Sequence, residues 1–240
     1  MKLLTWNIQA AIGTRRYRDY VLKAHRQLLH TASKSAILDS IAREIAPHDV
    51  VCLQEVDLGG RRAGYRSQVE EIARLSGHAH IAVQENRTIP GISRHGNAML
   101  SHFPLDVVED LKLPGRLSGR GCLIADVRAD QHLRVACLHL SLGQADQTLQ
   151  LTAIARLVRE PRPWAVMGDF NCGGRSGPIS AFCELTGGDL PAVTPPTFPA
   201  WKPRRDFDHI ITGGGVVLEH YGVEPANFSD HLPVAARIGF

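Results

Sequence analysis

Short apolar runs separated by polar breaks recur from one end of the chain to the other, and their spacing alternates between strand and helix periods. Strands are predicted over residues 2–7, 49–53, 80–84, 97–101, 122–127 and 133–140, then 164–168, 208–212, 216–220 and 234–238. Helical spacing marks 33–46, where Ile37, Leu38, Ile41 and Ile45 share a face and Pro47 is the stop. Two more helices are predicted, over 67–76 before Gly77 and over 147–160 before Pro161. Strands outnumber helices. The gap between 122–127 and 133–140 is too short for a parallel crossover, so the sheet structure is at least partly antiparallel. No repeat, low-complexity tract or linker-like charge run interrupts the pattern, which predicts one domain over residues 1–240.

Unusual polar residues gather at the ends of these apolar runs. Asn7 follows Leu3, Leu4 and Trp6; Glu55 follows Val50 to Leu53; His139 follows Val135 to Leu138; Asp169 and Asn171 follow Trp164 to Met167. Those lie at carboxyl ends of predicted strands, whereas Asp208 and the pair Asp230 and His231 precede theirs. In an antiparallel arrangement the two kinds of end share one edge, so all of them can meet at a single rim. Each residue also has a plainer reading: an Asn or Asp after a strand is commonly a turn residue, and a histidine such as His139 can be a satisfied core residue. A rim this rich in carboxylates needs a cation or shared protons. Oxygen ligands without clustered thiolates favour a hard ion, Mg²⁺ or Mn²⁺, over zinc. The asparagines and histidines can donate to a phosphate oxyanion, so phosphate-ester hydrolysis is the chemistry that uses every group.

Composition sets bounds without choosing a substrate. At 44% hydrophobic and 21% charged, 240 residues describe a globular chain with a packed core, not a disordered or fibrous one. Five cysteines, at 52, 122, 137, 172 and 183, form no CxxC pair and predict neither a disulfide framework nor a zinc cluster. No apolar run reaches the ~18 residues of a membrane span, and the first seven residues read as a strand, so a cytoplasmic location is expected. A net charge of +3 neither demands nor excludes a polyanion, but arginines cluster locally. They gather at Arg15, Arg16 and Arg18, at Arg61, Arg62 and Arg66, at Arg116 and Arg120, and at Arg204 and Arg205 beside Lys202. Tyr17, Tyr65, Phe198 and Trp201 lie among them and could stack on bases; the alternative is a solvated basic surface with Trp201 capping the core.

At these residues the sequence resembles the endonuclease/exonuclease/phosphatase superfamily. The resemblance is carried by TWNIQ at 5–9, LQEVD at 53–57, HGNAMLS at 95–101, LHLSLG at 138–143, MGDFN at 167–171, DFDHI at 206–210 and SDHLPV at 229–234. It extends over the whole chain and is nearest to compact bacterial members. It implies a four-layered α/β sandwich: two mixed, mostly antiparallel sheets packed face to face, helices outside, and a catalytic rim at one end. It further implies that Glu55 is the principal Mg²⁺ ligand, with Asn7 beside it and Asp230 completing the site, and that Mn²⁺ can substitute. Asp169 is then the general base, and Asn171 holds the water or a phosphate oxygen. His231 contacts the scissile phosphate with Asp208 orienting its ring, and His139 binds a non-bridging oxygen or assists the leaving group. Asn97 is expected to support the rim, and Arg62, Arg120, Trp201 and Arg205 to meet substrate. The sequence departs from exonuclease III-like repair enzymes, which usually carry a lysine after the glutamate motif where this chain has Val56 and Asp57, and a tyrosine where it has His139. Three functions stay open: a phosphodiesterase with nucleic acid the first-ranked partner, a phosphoesterase acting on phospholipid headgroups or small phosphorylated molecules, and a non-catalytic phosphate-binding module. No protein partner is expected, and a monomer is the default.

Overall fold

Neighbouring residues of one strand feed different cores, and this decides the architecture. In β1 (Lys2–Asn7) Leu3 packs into one apolar cluster while Leu4 and Trp6 pack into another on the opposite face. In β8 (Trp164–Asp169) Ala165 and Met167 join the first cluster, and Trp164 and Val166 enter a third. A strand buried on both faces reads as a continuous apolar run, as these do. The computed structural model describes residues 1–22, 31–158 and 162–240. Its strands form two sheets, a six-stranded one in the order β10-β11-β1-β2-β4-β3 and a five-stranded one in the order β5-β6-β7-β8-β9. The remaining strands are β2 (Val50–Asp57), β3 (His80–Ile89), β4 (Ser93–Ser101), β5 (Leu105–Lys112), β6 (Gly121–Arg128), β7 (His132–His139), β9 (Asp208–Gly213), β10 (Val217–Val223) and β11 (Val234–Gly239).

The first cluster lies between the sheets. The second is completed by Leu38, Ile41 and Ile45 of α2 (Ala32–Ile45) with Val69 and Ile72 of α3 (Gln68–Ser76). The third is completed by Leu151 and Ile154 of α4 (Gln144–Val158) with Ile179 and Phe182 of α5 (Gly177–Thr186). The layers therefore run helix, sheet, sheet, helix, as the resemblance implied. α1 (Asp19–Leu22) is a single turn. No helix among the described residues is long and apolar enough to cross a membrane. All five cysteines are free, four of them buried.

In each sheet one parallel pair, β1 with β2 and β7 with β8, is flanked by antiparallel neighbours. The carboxyl ends of the parallel pairs and the amino ends of β9 and β11 consequently point to one edge. The observed strands 2, 3 and 4 run beyond their predicted bounds, to Asp57, to Ile89 and back to Ser93. β5 and α5 are not predicted from the sequence. β5 is an outer strand whose residues are mostly exposed, so it carries Asp106, Glu109 and Asp110 in place of an apolar run. The predicted end of α4 at Glu160 and its stop at Pro161 lie outside the described residues.

Asn97, expected to support the rim, lies between the sheets and not on the surface. It is fully buried in β4, and its amide donates to Gln84 Oε1 at 3.1 Å and, across to the other sheet, to the Gly121 carbonyl at 3.1 Å. Gln84 continues the tie by donating to the Cys122 carbonyl at 3.2 Å, and Gln54 donates to Cys137 Sγ at 3.5 Å. These polar bridges join the sheets inside the apolar layer, where an unpaired amide would be costly.

Candidate active site

The rim forms where the topology requires. Asn7, His139 and Asp169 are the last residues of β1, β7 and β8, Asp208 is the first of β9, and Asp230 and His231 occupy the loop entering β11. Cross-strand register places His139 opposite Asp169 and Asp169 opposite Asp208. Glu55 reaches the rim differently. Leu53 pairs with Ala98 and Val56 with Gly96, so Gln54 and Glu55 together face Asn97 across a β-bulge. Glu55 sits there at φ 57°, a left-handed conformation that costs a non-glycine residue about 1–3 kcal/mol. Asn171 at φ 53° and the Gln9–Ala11 turn, all at positive φ, add further strain at the same edge.

Two groups of side chains face each other. On the six-stranded side Asn7 Nδ2 donates to Glu55 Oε1 at 3.3 Å and to Asp169 Oδ2 at 3.1 Å, and Gln9 Nε2 donates to Asp230 Oδ2 at 2.9 Å. Burial and then the nearby Asp230 charge raise the Glu55 pKa. On the five-stranded side Asp208 Oδ2 accepts from Thr197 Oγ1 at 2.5 Å and lies 2.8 Å from His231 Nδ1. His231 Nε2 and His139 Nε2 lie 3.9 and 3.5 Å from Asp169 Oδ2. Burial lifts Asp169 to about 7. Burial works against a charged His231, but the Asp208 and Asp169 carboxylates outweigh it and lift the imidazole to about 10. His139 goes the other way: burial and the Arg120 guanidinium hold it well below the ordinary value, and Arg120 Nη1 donates to its Nε2. One carboxylate therefore stands between a charged and a neutral imidazole.

Too many buried carboxylates for the protons available is the signature of a cation site, and two sets of donors fit one. Glu55 and Asp230 are hard oxygen groups, and Asn7 beside them presents its amide nitrogen to Glu55. Asp169, Asp208 and His231 bring ligand atoms within 4.8 Å of one another. In that second set, however, a cation would compete with the proton that the same carboxylates hold on His231. A cleft of about 600 Å³ between the end of α2 and β10–β11 lies at the other end of the sandwich; its lining includes Glu44, His48, His220 and Glu224, which form no group of three converging ligands among the described residues.

Several expected positions change in detail. Arg62 is not a surface contact: it is 2% exposed, and its Nε donates to Asp57, itself 0% exposed. Asn171 does not continue an extended strand; its backbone N–H donates to Asp169 Oδ1 at 2.9 Å, and its side chain donates to the Leu140 carbonyl at 2.9 Å. It still borders a cavity with His231 and Arg205, the latter lying 5.6 Å over the Phe207 ring. Trp201 is half-buried and packs edge-on against Tyr17 at 5.2 Å, leaving Tyr17 as the exposed member of the pair. Asn7 turns its amide nitrogen, not its oxygen, toward Glu55 and Asp169; the oxygen accepts from Gln9 N–H at 3.1 Å. Sequence reasoning missed Gln9 and Thr197, whose contacts come from a left-handed turn and a long loop. TWNIQ contained Gln9 without marking its partner, and Thr197 begins TFPAWKP at 197–203, outside the motifs that carry the resemblance.

Comparison with known proteins agrees with this geometry. YbhP of Escherichia coli, an uncharacterised protein, is 30% identical over 260 residues, covering 99% of this chain and 95% of its own. An endonuclease/exonuclease/phosphatase from Beutenbergia cavernae superposes with a TM-score of 0.76 at 21% identity, over 99% of this chain and 71% of that one. A mannosyl-6-phosphatase of Bacteroides thetaiotaomicron gives 0.71 at 14% identity over 100% of both chains. The sequence pattern of the Endonuclease/Exonuclease/phosphatase family matches residues 4–231, from the middle of β1 to the histidine paired with Asp208. That span contains every side chain of the rim, and the chain belongs to this family.

Proposed function

We propose that the chain is a Mg²⁺-dependent phosphodiesterase, with Mn²⁺ able to substitute, and that nucleic acid is its substrate class. Members of the family are generally phosphoester hydrolases, typically dependent on a divalent metal. The observation that carries the reading is the placement of Asp169. A buried carboxylate lifted to about 7, between a charged and a neutral imidazole, is suited to take a proton from water near neutral pH. When bound, a divalent cation at Glu55 and Asp230 beside Asn7 supplies Lewis-acid neutralisation of phosphate charge.

The chain's own groups do the rest. Asp169 orients the attacking water and accepts its proton. Asp208, fixed by Thr197, holds the Nδ1 of His231 and keeps the ring charged, so its Nε2–H donates to a phosphate oxygen as negative charge builds. His139 accepts from Arg120 and is neutral, so it holds that guanidinium at the edge of the site and gives no proton of its own. Arg205 lines the cavity on the His231 side and can meet the substrate beyond the cleaved bond.

The test is hydrolysis of bis-p-nitrophenyl phosphate, p-nitrophenyl phosphate and plasmid DNA by wild type and Asp169→Asn, with Mg²⁺, Mn²⁺ or EDTA. Metal-dependent cleavage of the diester and the plasmid, lost in the variant, is the expected result. Turnover of the monoester alone would replace this reading with a phosphatase like the Bacteroides neighbour, and activity surviving in Asp169→Asn would remove the base.

A further inference from the structure

The cavity beside Glu55 and His139 holds more positive charge than one phosphate at the rim requires. Its volume is about 250 Å³; Glu55 and His139 form its catalytic side, and Asn86, Arg87, His95 and Arg120 border it further out. Among the described residues Arg87 makes no ion pair. Gly119, at φ +84°, lets the loop lie on the Arg87 stem: a Cβ there would stand 3.1 Å from Arg87 Cβ. The two guanidinium-bearing segments are thereby packed together at one cavity.

His95 is prepared for the same task. Arg62 Nη2 lies 3.1 Å from His95 Nδ1, and because an arginine only donates, Nδ1 must accept and the ring proton must sit on Nε2. Arg62 is itself fixed by Asp57, whose Oδ1 accepts from the N–H groups of Gly59 at 3.0 Å and Gly60 at 2.7 Å. Burial and the Arg62 charge hold His95 down at about 4, so its ring is neutral at pH 7. This account gives Arg62 a role its burial excluded as a surface contact: it positions His95.

We propose that Arg87, Arg120 and the Nε2–H of His95 form a subsite for a second, unreacted phosphate carried by the substrate next to the phosphate that is cleaved. The inference rests on the phosphodiesterase reading for the identity of the first phosphate. Guanidinium pairs recognise phosphate oxygens bidentately, which suits a dianion better than a neutral sugar or base. The second phosphate can belong to the next nucleotide of a polynucleotide or to a small polyphosphorylated molecule.

The test is calorimetric titration in the Asp169→Asn background, where turnover does not interfere, with Mg²⁺ present. The probes are thymidine 5′-monophosphate, thymidine 3′,5′-bisphosphate and 2,3-bisphosphoglycerate. At least one bisphosphate is expected to bind about tenfold or more tightly than the monophosphate, and Arg87→Ala should shrink that advantage to about twofold. A gain for the nucleotide probe assigns the phosphate to a polynucleotide; a gain for the glycerate alone assigns it to a small molecule. Equal binding of all three probes, or an advantage untouched by Arg87→Ala, overturns the subsite. Arg87 is exposed, so that variant should fold, and near-ultraviolet circular dichroism checks it. Arg62→Lys tests the positioning role through the ring ¹⁵N shifts of His95, which should report the Nε2–H tautomer in wild type and lose it in the variant. An unchanged tautomer would remove Arg62 from the account. Binding is read without turnover, so absent hydrolysis of bis-p-nitrophenyl phosphate by wild type would sink the proposed activity and leave this result standing.

Discussion

The two sheets contribute unlike halves to one rim. The six-stranded sheet delivers Glu55 through a bulge at positive φ, next to the left-handed turn at Gln9–Ala11 and the Asp230 loop. The five-stranded sheet delivers His139, Asp169 and Asp208 from the ends of regularly paired strands. The strained half gathers hard oxygen atoms with few protons to share, whereas the regular half pairs carboxylates with imidazoles. Under the proposed activity, strain lies where a cation would bind, and proton transfer falls to groups on regularly paired strands.

Four experiments break or sharpen that contrast. The largest effect is expected from Asp169→Asn, which should lower kcat on a diester by about a thousandfold, within the range of a lost general base, without lowering the melting temperature of the metal-free protein. Asp208→Asn should cost about a hundredfold and also change the pH profile. His231 is lifted to about 10 by carboxylates acting against burial, so removing one negative charge lowers its pKa. The alkaline limb of kcat should then begin at lower pH, and an unmoved limb would uncouple the pair.

The strained half is tested by metal and heat. Mg²⁺ at about a hundred times its dissociation constant should raise the wild-type melting temperature by roughly 5–10 °C, from about 2.7 kcal/mol of linkage. Glu55→Gln should lose most of this rise. Because burial and Asp230 already raise the Glu55 pKa, the metal-free variant should melt no lower than wild type at pH 7.5. A full Mg²⁺ shift in that variant would move the cation to the Asp169 side.

The smallest effect concerns acid. His78 and His95 are held down to about 4 from 6.5, mainly by burial, so the fold keeps them neutral while the unfolded chain protonates them. Their contribution to stability is complete above pH 6.5 and is lost as pH falls toward 4. His231, shifted upward, behaves oppositely: its contribution is complete below about pH 6.5 and is lost progressively as pH rises to about 10. Melting temperatures should decline from pH 6.5 to 4.5, and less so in His78→Asn.

Legibility in the sequence followed the same division. β1 was bounded correctly at Lys2 and Asn7 because both of its faces are buried, and the meeting of strand ends at one edge followed from short antiparallel connections. β5 was invisible because an exposed outer strand needs no apolar alternation. α5 was not predicted, although Pro178 in its first turn is a helix-start signal. Arg62 looked like part of a basic surface because its partner Asp57 is met only after the chain turns back over Gly59 and Gly60. The direction of Asn171 depended on one left-handed residue, which side-chain periodicity does not encode.

The amide bridges from Asn97, Gln84 and Gln54 have a mechanical consequence. They pin the sandwich like dowels through two boards, so sliding one sheet past the other by a single residue would break several buried pairs together. The gap between the two halves of the rim is thereby fixed as a gauge, and differences in what fits it fall to the bordering loops at 114–120 and 197–205 rather than to movement of the sheets.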